Sequence, residues 1–168
     1  AERITFGAFY QSGQSCISVQ RVIAHRNIYA ALASRLVQRA RQLKAGDPLD
    51  EQTFLGPLIT AADATRLEQW VNEAVAAGAR VLCGGRRNGA FFDATYLENV
   101  DPRQKISCNE AFGPVATLQP FDTFEEAVRV ANDSDYGLQC GVFTQNLAHA
   151  FYAYDELDVG GVVLNDVP

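Results

Sequence analysis

Segments with the pattern of β-strands alternate along this chain with segments that have the pattern of α-helices. Short runs rich in apolar and β-branched residues at 17–24, 115–121 and 138–144 predict strands, and apolar residues recur at helical spacing between them. Strands that alternate with helices favour right-handed crossovers and parallel pairing. The predicted fold class is therefore α/β, with a largely parallel sheet flanked by helices.

Local signals predict the other boundaries. Asn27, Thr60 and Thr123 are predicted N-caps, and Gly46 and Gly78 are predicted helix ends. The predicted helices cover 4–14, 27–46, 60–78, 123–131 and 147–156, and the remaining predicted strands cover 80–83 and 162–165. An irregular or hairpin segment is predicted at 90–101.

The composition excludes several classes of function. A length of 168 residues suits one domain, and a net charge of -6 argues against a nucleic-acid partner, because phosphate binding requires clustered Lys and Arg. The basic residues at 35–44 are interpreted as a solvated helix face. No apolar run approaches the roughly 20 residues of a membrane span, so no membrane association is predicted. Because the chain contains no methionine and ends directly after an apolar strand, we expect a domain cut at both ends.

The cysteines and histidines show no metal-binding pattern. The four cysteines are Cys16, Cys83, Cys108 and Cys140. None has CxxC spacing, which argues against a zinc ribbon or a redox dithiol, and neither His25 nor His149 has metal-ligand neighbours in the sequence. We therefore predict no metal site. Widely spaced single cysteines indicate a reduced, cytoplasmic protein.

Cys16 has the most informative sequence context. It follows Gly13-Gln14-Ser15 and precedes the apolar run 17–24. Glycine permits backbone conformations that other residues resist, and a cysteine on such a turn can present its sulfur to a pocket as a nucleophile. A small buried hydrophobic residue is the alternative reading of a lone cysteine.

Three further motifs accompany this cysteine turn in a fixed order. They are EAFGPV at 110–115, YGLQCGVFT at 136–144 and GGVVLN at 160–165. Together the four motifs resemble the catalytic domain of the NAD(P)-dependent aldehyde dehydrogenase superfamily, and the resemblance covers essentially the whole chain. The pattern of that family around its nucleophile is matched here by Phe9, Gly13, Gln14, Cys16 and Arg21.

The resemblance implies a function and three site residues. It implies oxidation of an aldehyde to a carboxylic acid, with NAD or NADP as cofactor, through a thiohemiacetal and a thioester on Cys16. The Cys16 backbone N–H would donate to the oxyanion. Glu110 would accept hydrogen bonds from the ribose hydroxyls of the cofactor, and Phe112 would pack beside its nicotinamide. The resemblance also implies a small-molecule aldehyde substrate and a homo-oligomer, either a dimer or a tetramer.

Other readings of these residues remain open. Glu110 could be a solvated loop charge, and Phe112 could be a core aromatic residue. Arg21 is expected to brace nearby carbonyl groups. Arg66 is expected either near the adenine or facing solvent, and Asn165 near the substrate mouth.

The sequence departs from the family pattern in three respects. Gln11 stands where the family often has asparagine. The general-base glutamate, the second oxyanion donor and the Gly-rich dinucleotide-binding domain are all expected before residue 1. The segment expected after residue 168 would shape the substrate mouth. We therefore expect the isolated chain to be inactive.

Three alternative functions remain open. A CoA-acylating semialdehyde dehydrogenase would pass the acyl group to CoA instead of water. A thiol hydrolase would need His25 or His149 as its base, although an extended strand would place His25 roughly 30 Å from Cys16. A non-catalytic assembly domain would need neither Cys16 nor Glu110.

Overall fold

The computed structural model describes residues 1–168 and contains six α-helices and eight strands. The helices are α1 (Glu2–Phe9), α2 (Arg26–Ala40), α3 (Ala61–Ala76), α4 (Lys105–Cys108), α5 (Phe124–Asn132) and α6 (Leu147–Glu156). The strands are β1 (Arg21–His25), β2 (Arg80–Cys83), β3 (Arg87–Asn88), β4 (Phe91–Phe92), β5 (Thr95–Glu98), β6 (Val115–Phe121), β7 (Cys140–Val142) and β8 (Val162–Leu164). A 3-10 turn, Tyr10–Gly13, follows α1.

The main sheet has the strand order β1-β6-β5-β2. β6 pairs in parallel with both β1 and β5, and β2 pairs antiparallel to β5 at the edge. β7 and β8 form a separate parallel pair, and β3 and β4 form a small antiparallel hairpin. The predicted α/β class with a largely parallel sheet is confirmed.

Successive residues of the central strands enter different apolar clusters. On β5, Tyr96 joins the cluster formed with α1 and α2, and Leu97 joins the cluster formed with α3 and α4. On β6, Ala116 joins the first of these clusters and Val115 joins the second. This alternation follows from the two-residue period of a strand and explains why helices cover both faces of the sheet. A third, smaller cluster links α5, α6 and β7.

The segment before β1 differs from the prediction. The predicted strand over 17–24 begins only at Arg21 and extends to His25. Ahead of it, Val19 N donates to the Gly7 carbonyl (3.1 Å) and Ser18 Oγ donates to the Ala8 carbonyl (3.1 Å). These bonds attach Ser18 and Val19 to α1, and pairing with β6 begins only after them, at the Gln20 carbonyl.

Two of the three predicted helix caps are confirmed. Thr60 and Thr123 cap α3 and α5 as expected, each accepting a hydrogen bond from a backbone N–H three residues later. Asn27 is not a cap: His25 Nδ1 accepts from Asn27 N (3.2 Å) and caps α2 instead. The same helix ends at Ala40, before the predicted end at Gly46.

None of the helices combines the length and the apolar composition that crossing a bilayer requires. The structure also contains no group of three or more His, Cys, Asp or Glu side chains placed to hold a metal ion.

Candidate active site

The turn that precedes Cys16 has an unusual backbone. Gln11, Ser12 and Gly13 all have positive φ angles, of 52°, 57° and 69°. The left-handed region costs a non-glycine residue roughly 1–2 kcal/mol, so such a turn persists only where its surroundings hold it. Ser12 is buried, and its Oγ donates to the carbonyl of Gly56 (2.9 Å). The predicted helix over 4–14 therefore ends at Phe9, before this turn.

Gly13 brings two of the sequence motifs into direct contact. A Cβ atom at Gly13 would overlap the carbonyl oxygen of Gly113 and would lie 2.9 Å from Pro114 N. Because glycine carries no Cβ atom, the cysteine turn packs directly on the Gly113-Pro114 backbone. Only glycine fits at this point, both for its positive φ and for this close approach.

Gln14 fixes the turn from a second side. Its Oε1 accepts a hydrogen bond from Ile59 N (2.8 Å), and its Nε2 donates to the Pro57 carbonyl (3.3 Å). The amide thus ties the cysteine turn to the segment that leads into α3. The sequence motif contains this glutamine, but its partners could not be inferred from spacing.

Cys16 is exposed, and its thiol is free. The Cys16 backbone N–H donates to no group in the chain. Its neighbour Ser15 is held in place, because Ser15 Oγ lies 2.6 Å from Tyr10 Oη. A free thiol next to an unengaged backbone donor can both attack a carbonyl carbon and bind the resulting oxyanion.

A cavity of about 550 Å³ adjoins this turn. Cys16, Glu110 and Phe112 all line it, together with residues of β1 and of the segment leading into β7. The volume lies in the range of small-ligand sites. The three site residues that the sequence predicted therefore line one cavity.

Glu110 and Phe112 lie in the loop between α4 and β6. The residues on either side of Glu110, Asn109 and Ala111, form backbone hydrogen bonds with the Gln20 side chain. The Glu110 carboxylate itself is exposed and forms no hydrogen bond. Phe112 is half-buried, has a positive φ of 48°, and belongs to none of the three apolar clusters. A ring outside the core and a free carboxylate thus face one cavity.

Gln20 is a site residue that sequence reasoning missed. Its side chain spans from the start of β1 to the Glu110 loop, where it bonds to backbone atoms of Ile106, Asn109 and Ala111. The available signal was a polar amide inside the apolar run 17–24.

Arg21 braces carbonyl groups, as predicted. Its guanidinium donates to the carbonyls of Val130 (2.6 Å) and Ala131 (3.3 Å) at the end of α5. Burial lowers the pKa of Arg21.

Arg66 makes two contacts within the chain that the sequence did not predict. It donates to the Ala111 carbonyl (2.8 Å), and its guanidinium lies 4.6 Å from the Trp70 ring centre. It therefore supports the Glu110 loop from α3. Asn165 does not line the cavity; its Oδ1 accepts from Thr144 N (3.0 Å).

Neither histidine is hydrogen-bonded to Cys16. His25 caps α2 through Nδ1, and its ring packs edge-on against Phe121 at 5.3 Å. His149 stacks on Phe124 with ring centres 4.4 Å apart. The histidine base that a thiol hydrolase would need is not in place beside the cysteine.

The four thiols should differ in reactivity. Burial raises the pKa of Cys83 and Cys140, so each forms less thiolate at a given pH, whereas Cys16 and Cys108 are exposed. We expect iodoacetamide at mildly alkaline pH to label Cys16 and Cys108 at least about ten-fold faster than the other two. Peptide mass spectrometry measures this, with guanidinium-unfolded protein as the control in which all four react. Protection of Cys16 in the folded protein would contradict the site geometry.

Comparison with known proteins decides the family. The model of the aldehyde dehydrogenase family matches residues 1–168. The chain belongs to the aldehyde dehydrogenase family. This confirms the family that the four sequence motifs predicted.

Individual aldehyde dehydrogenases agree closely with the chain. The chain is 45% identical to the 3-sulfolactaldehyde dehydrogenase of Priestia aryabhattai, over 99% of the chain and 35% of that protein. It superposes with a TM-score of 0.98 and 45% identity on aldehyde dehydrogenase 21 of Physcomitrella patens, solved with its reaction product succinate, covering 99% of the chain and 35% of that structure.

A second solved structure carries a cofactor. It is the glyceraldehyde-3-phosphate dehydrogenase GapN of Methanocaldococcus jannaschii, solved with NADP, which matches with a TM-score of 0.95 and 35% identity over 99% of the chain and 36% of that structure. The chain spans about a third of the length of these aldehyde dehydrogenases.

Proposed function

We propose that the chain is the catalytic segment of an NAD(P)-dependent aldehyde dehydrogenase that oxidises an aldehyde to a carboxylic acid through a thioester on Cys16. The contact of Gly13 with Gly113 carries this proposal, because it places the cysteine turn and the Glu110 loop around one cavity. Membership of the family supports the reaction class. No observation favours transfer of the acyl group to CoA or hydrolysis by a cysteine–histidine pair.

The chemistry begins at the Cys16 sulfur. The thiolate adds to the aldehyde carbon, and the carbonyl oxygen takes up the electron pair as an oxyanion. The free Cys16 N–H is available to donate to that oxyanion. Water later adds to the thioester carbon, which releases the carboxylic acid and returns the thiol.

The residues beside Cys16 suit a nicotinamide dinucleotide. The free Glu110 carboxylate has two oxygens, which suits the two hydroxyls of a ribose, and the half-buried Phe112 ring offers an apolar surface. NAD or NADP, when bound, would accept the hydride lost from the carbon attached to Cys16. The chain's part is to hold that cofactor beside the cavity.

The length of the relatives supports a longer enzyme. The chain covers 35% of the 3-sulfolactaldehyde dehydrogenase of Priestia aryabhattai. We therefore propose that it is one catalytic domain, truncated at both ends, and that the dinucleotide-binding domain lies outside it. On this proposal the cofactor site is mostly outside these residues, and the isolated chain is inactive.

We propose also that the enzyme is cytoplasmic and forms a dimer or tetramer. The four free cysteines support a reducing compartment. Leu147, Phe151 and Tyr154 lie three to four residues apart on α6 and are 70%, 61% and 74% exposed. An exposed apolar stripe of this kind is suited to burial in the complete assembly.

Glu110→Gln tests the proposed cofactor contact. Hydrogen bonds to a charged group are worth roughly 1.5–3 kcal/mol each, and glutamine keeps one acceptor, so a loss of about 1–2 kcal/mol is expected. That corresponds to about a ten-fold rise in the KM for the cofactor. Steady-state kinetics of the full-length enzyme with NAD and with NADP measure it.

Glu125→Gln on α5 is the matched control, because Glu125 is also exposed and lies outside the cavity. Its cofactor KM should stay at the wild-type value. Alkylation of Cys16 should be unchanged in both variants. If Glu110→Gln leaves the cofactor kinetics at their wild-type values, Glu110 is a solvated loop charge and the ribose contact is wrong.

A further inference from the structure

Gln20 holds the Glu110 loop from both sides of that glutamate. Gln20 Nε2 donates to the Asn109 carbonyl (2.7 Å), and Gln20 Oε1 accepts from Ala111 N (2.9 Å). These two backbone groups directly flank Glu110 in the chain. The amide therefore fixes the peptide units on either side of the proposed cofactor ligand.

The partners of Gln20 require a carboxamide. A third bond runs from Nε2 to the Ile106 carbonyl (3.1 Å), so the side chain meets two acceptors and one donor. Only a group with two N–H donors and one oxygen acceptor satisfies this set. A glutamate at this position would turn an acceptor towards two carbonyl oxygens.

The base of this clamp is rigid. The Gln20 carbonyl accepts from Thr117 N (2.8 Å), and the next residue, Arg21, pairs with Thr117 in the β1–β6 register. Gln20 is thus fixed to β1, which follows the cysteine turn, and to β6, which follows the Glu110 loop. It lies four positions after Cys16 in the chain.

We propose that Gln20 is a positioning residue of the active site, which sets the place of Glu110, and through it the cofactor, relative to Cys16. This inference rests on the proposed cofactor role of Glu110. The amide of Gln20 is engaged by the backbone of the Glu110 loop, and it acts through that backbone.

The test compares two replacements in the full-length enzyme. Gln20→Glu keeps the shape of the side chain but replaces the Nε2 donor with an oxygen acceptor. Gln20→Met keeps the length of the side chain and removes all three hydrogen bonds. We expect both to raise the KM for NAD or NADP about ten-fold, because two or three hydrogen bonds are lost. At saturating cofactor, kcat should fall less than about three-fold, because binding restores most of the loop position. Alkylation of Cys16 without cofactor should keep its wild-type rate.

Asn132→Asp is a matched control for a general loss of stability. Asn132 makes the same kind of clamp elsewhere, donating to the Glu156 carbonyl (2.7 Å) and accepting from Asp158 N (2.9 Å). It does not line the cavity. This variant should lower the thermal midpoint as much as Gln20→Glu does, with no change in cofactor KM.

A double variant separates the two proposals. If Gln20 acts through Glu110, adding Gln20→Glu to Glu110→Gln should raise the cofactor KM by no more than about two-fold over the larger single effect. Normal cofactor KM values for both Gln20 variants, beside a raised value for Glu110→Gln, would overturn the role of Gln20 and leave that of Glu110 standing. The role of Gln20 would also be overturned if the rise in cofactor KM of the double variant equalled the product of the rises in the two single variants. A normal KM for Glu110→Gln would overturn both.

Discussion

We expect Cys16→Ala in the full-length enzyme to abolish aldehyde-dependent formation of NADH or NADPH while folding is retained. Without the sulfur no covalent adduct forms, and loss of a nucleophile that acts together with its neighbours costs at least about 10³-fold in rate. The substitution removes one exposed atom and no hydrogen bond, so the thermal midpoint should not change. The appearance of reduced nicotinamide, followed by absorbance, measures the loss.

Cys108→Ala is the best-matched control, because Cys108 is the other exposed cysteine. It should turn over at nearly the wild-type rate, as should the Cys83→Ala and Cys140→Ala variants if they fold. Substantial turnover by the Cys16→Ala variant would show that Cys16 is not the nucleophile.

Gly13→Ala should have the second-largest effect, on stability and activity together. A left-handed backbone costs a residue with a Cβ atom roughly 1–2 kcal/mol. The overlap with the Gly113 carbonyl adds about 1–3 kcal/mol, since a backbone atom moves less readily than a side chain. We expect the free energy of unfolding to fall by about 2–5 kcal/mol, measured by urea denaturation of the full-length enzyme.

Gly89→Ala separates the two causes. Gly89 has a φ of 60°, close to the 69° of Gly13, but no atom lies within 4 Å of a Cβ placed there. Its substitution should cost only the backbone penalty of roughly 1–2 kcal/mol. Equal losses in the two variants would show that the contact between the cysteine turn and Gly113 is unimportant for stability.

The sequence predicts those parts of the fold that depend on neighbouring residues. The caps Thr60 and Thr123 bond to backbone three positions away, so a short motif is enough to find them. The start of β1 depends instead on Ser18 and Val19 bonding back to α1, which no local pattern reveals. His25 displaces Asn27 as a cap because an imidazole nitrogen can also accept a backbone hydrogen bond.

The candidate site shows the same division. Cys16, Glu110 and Phe112 are predictable because each belongs to a motif with characteristic neighbours. Gln20 bonds to residues 86 to 91 positions away, and Gln14 to residues 43 and 45 positions away, so their partners exist only in the folded chain. The amide side chains of Gln14 and Gln20 indicate that each forms hydrogen bonds, but only the folded structure shows with which residues.

The candidate site lies at the amino ends of β1 and β6, because Cys16 and Glu110 both come before their strands. Most open parallel sheets bind ligands at the opposite edge, where the next helices begin with their positive ends. Here α2 and α5 begin at that far edge, so no helix that follows these strands directs its positive end at Cys16. On the proposed mechanism, the negative charge that develops on the aldehyde oxygen would be met on this chain by a single N–H group such as that of Cys16, which is placed by a turn and not by a helix end.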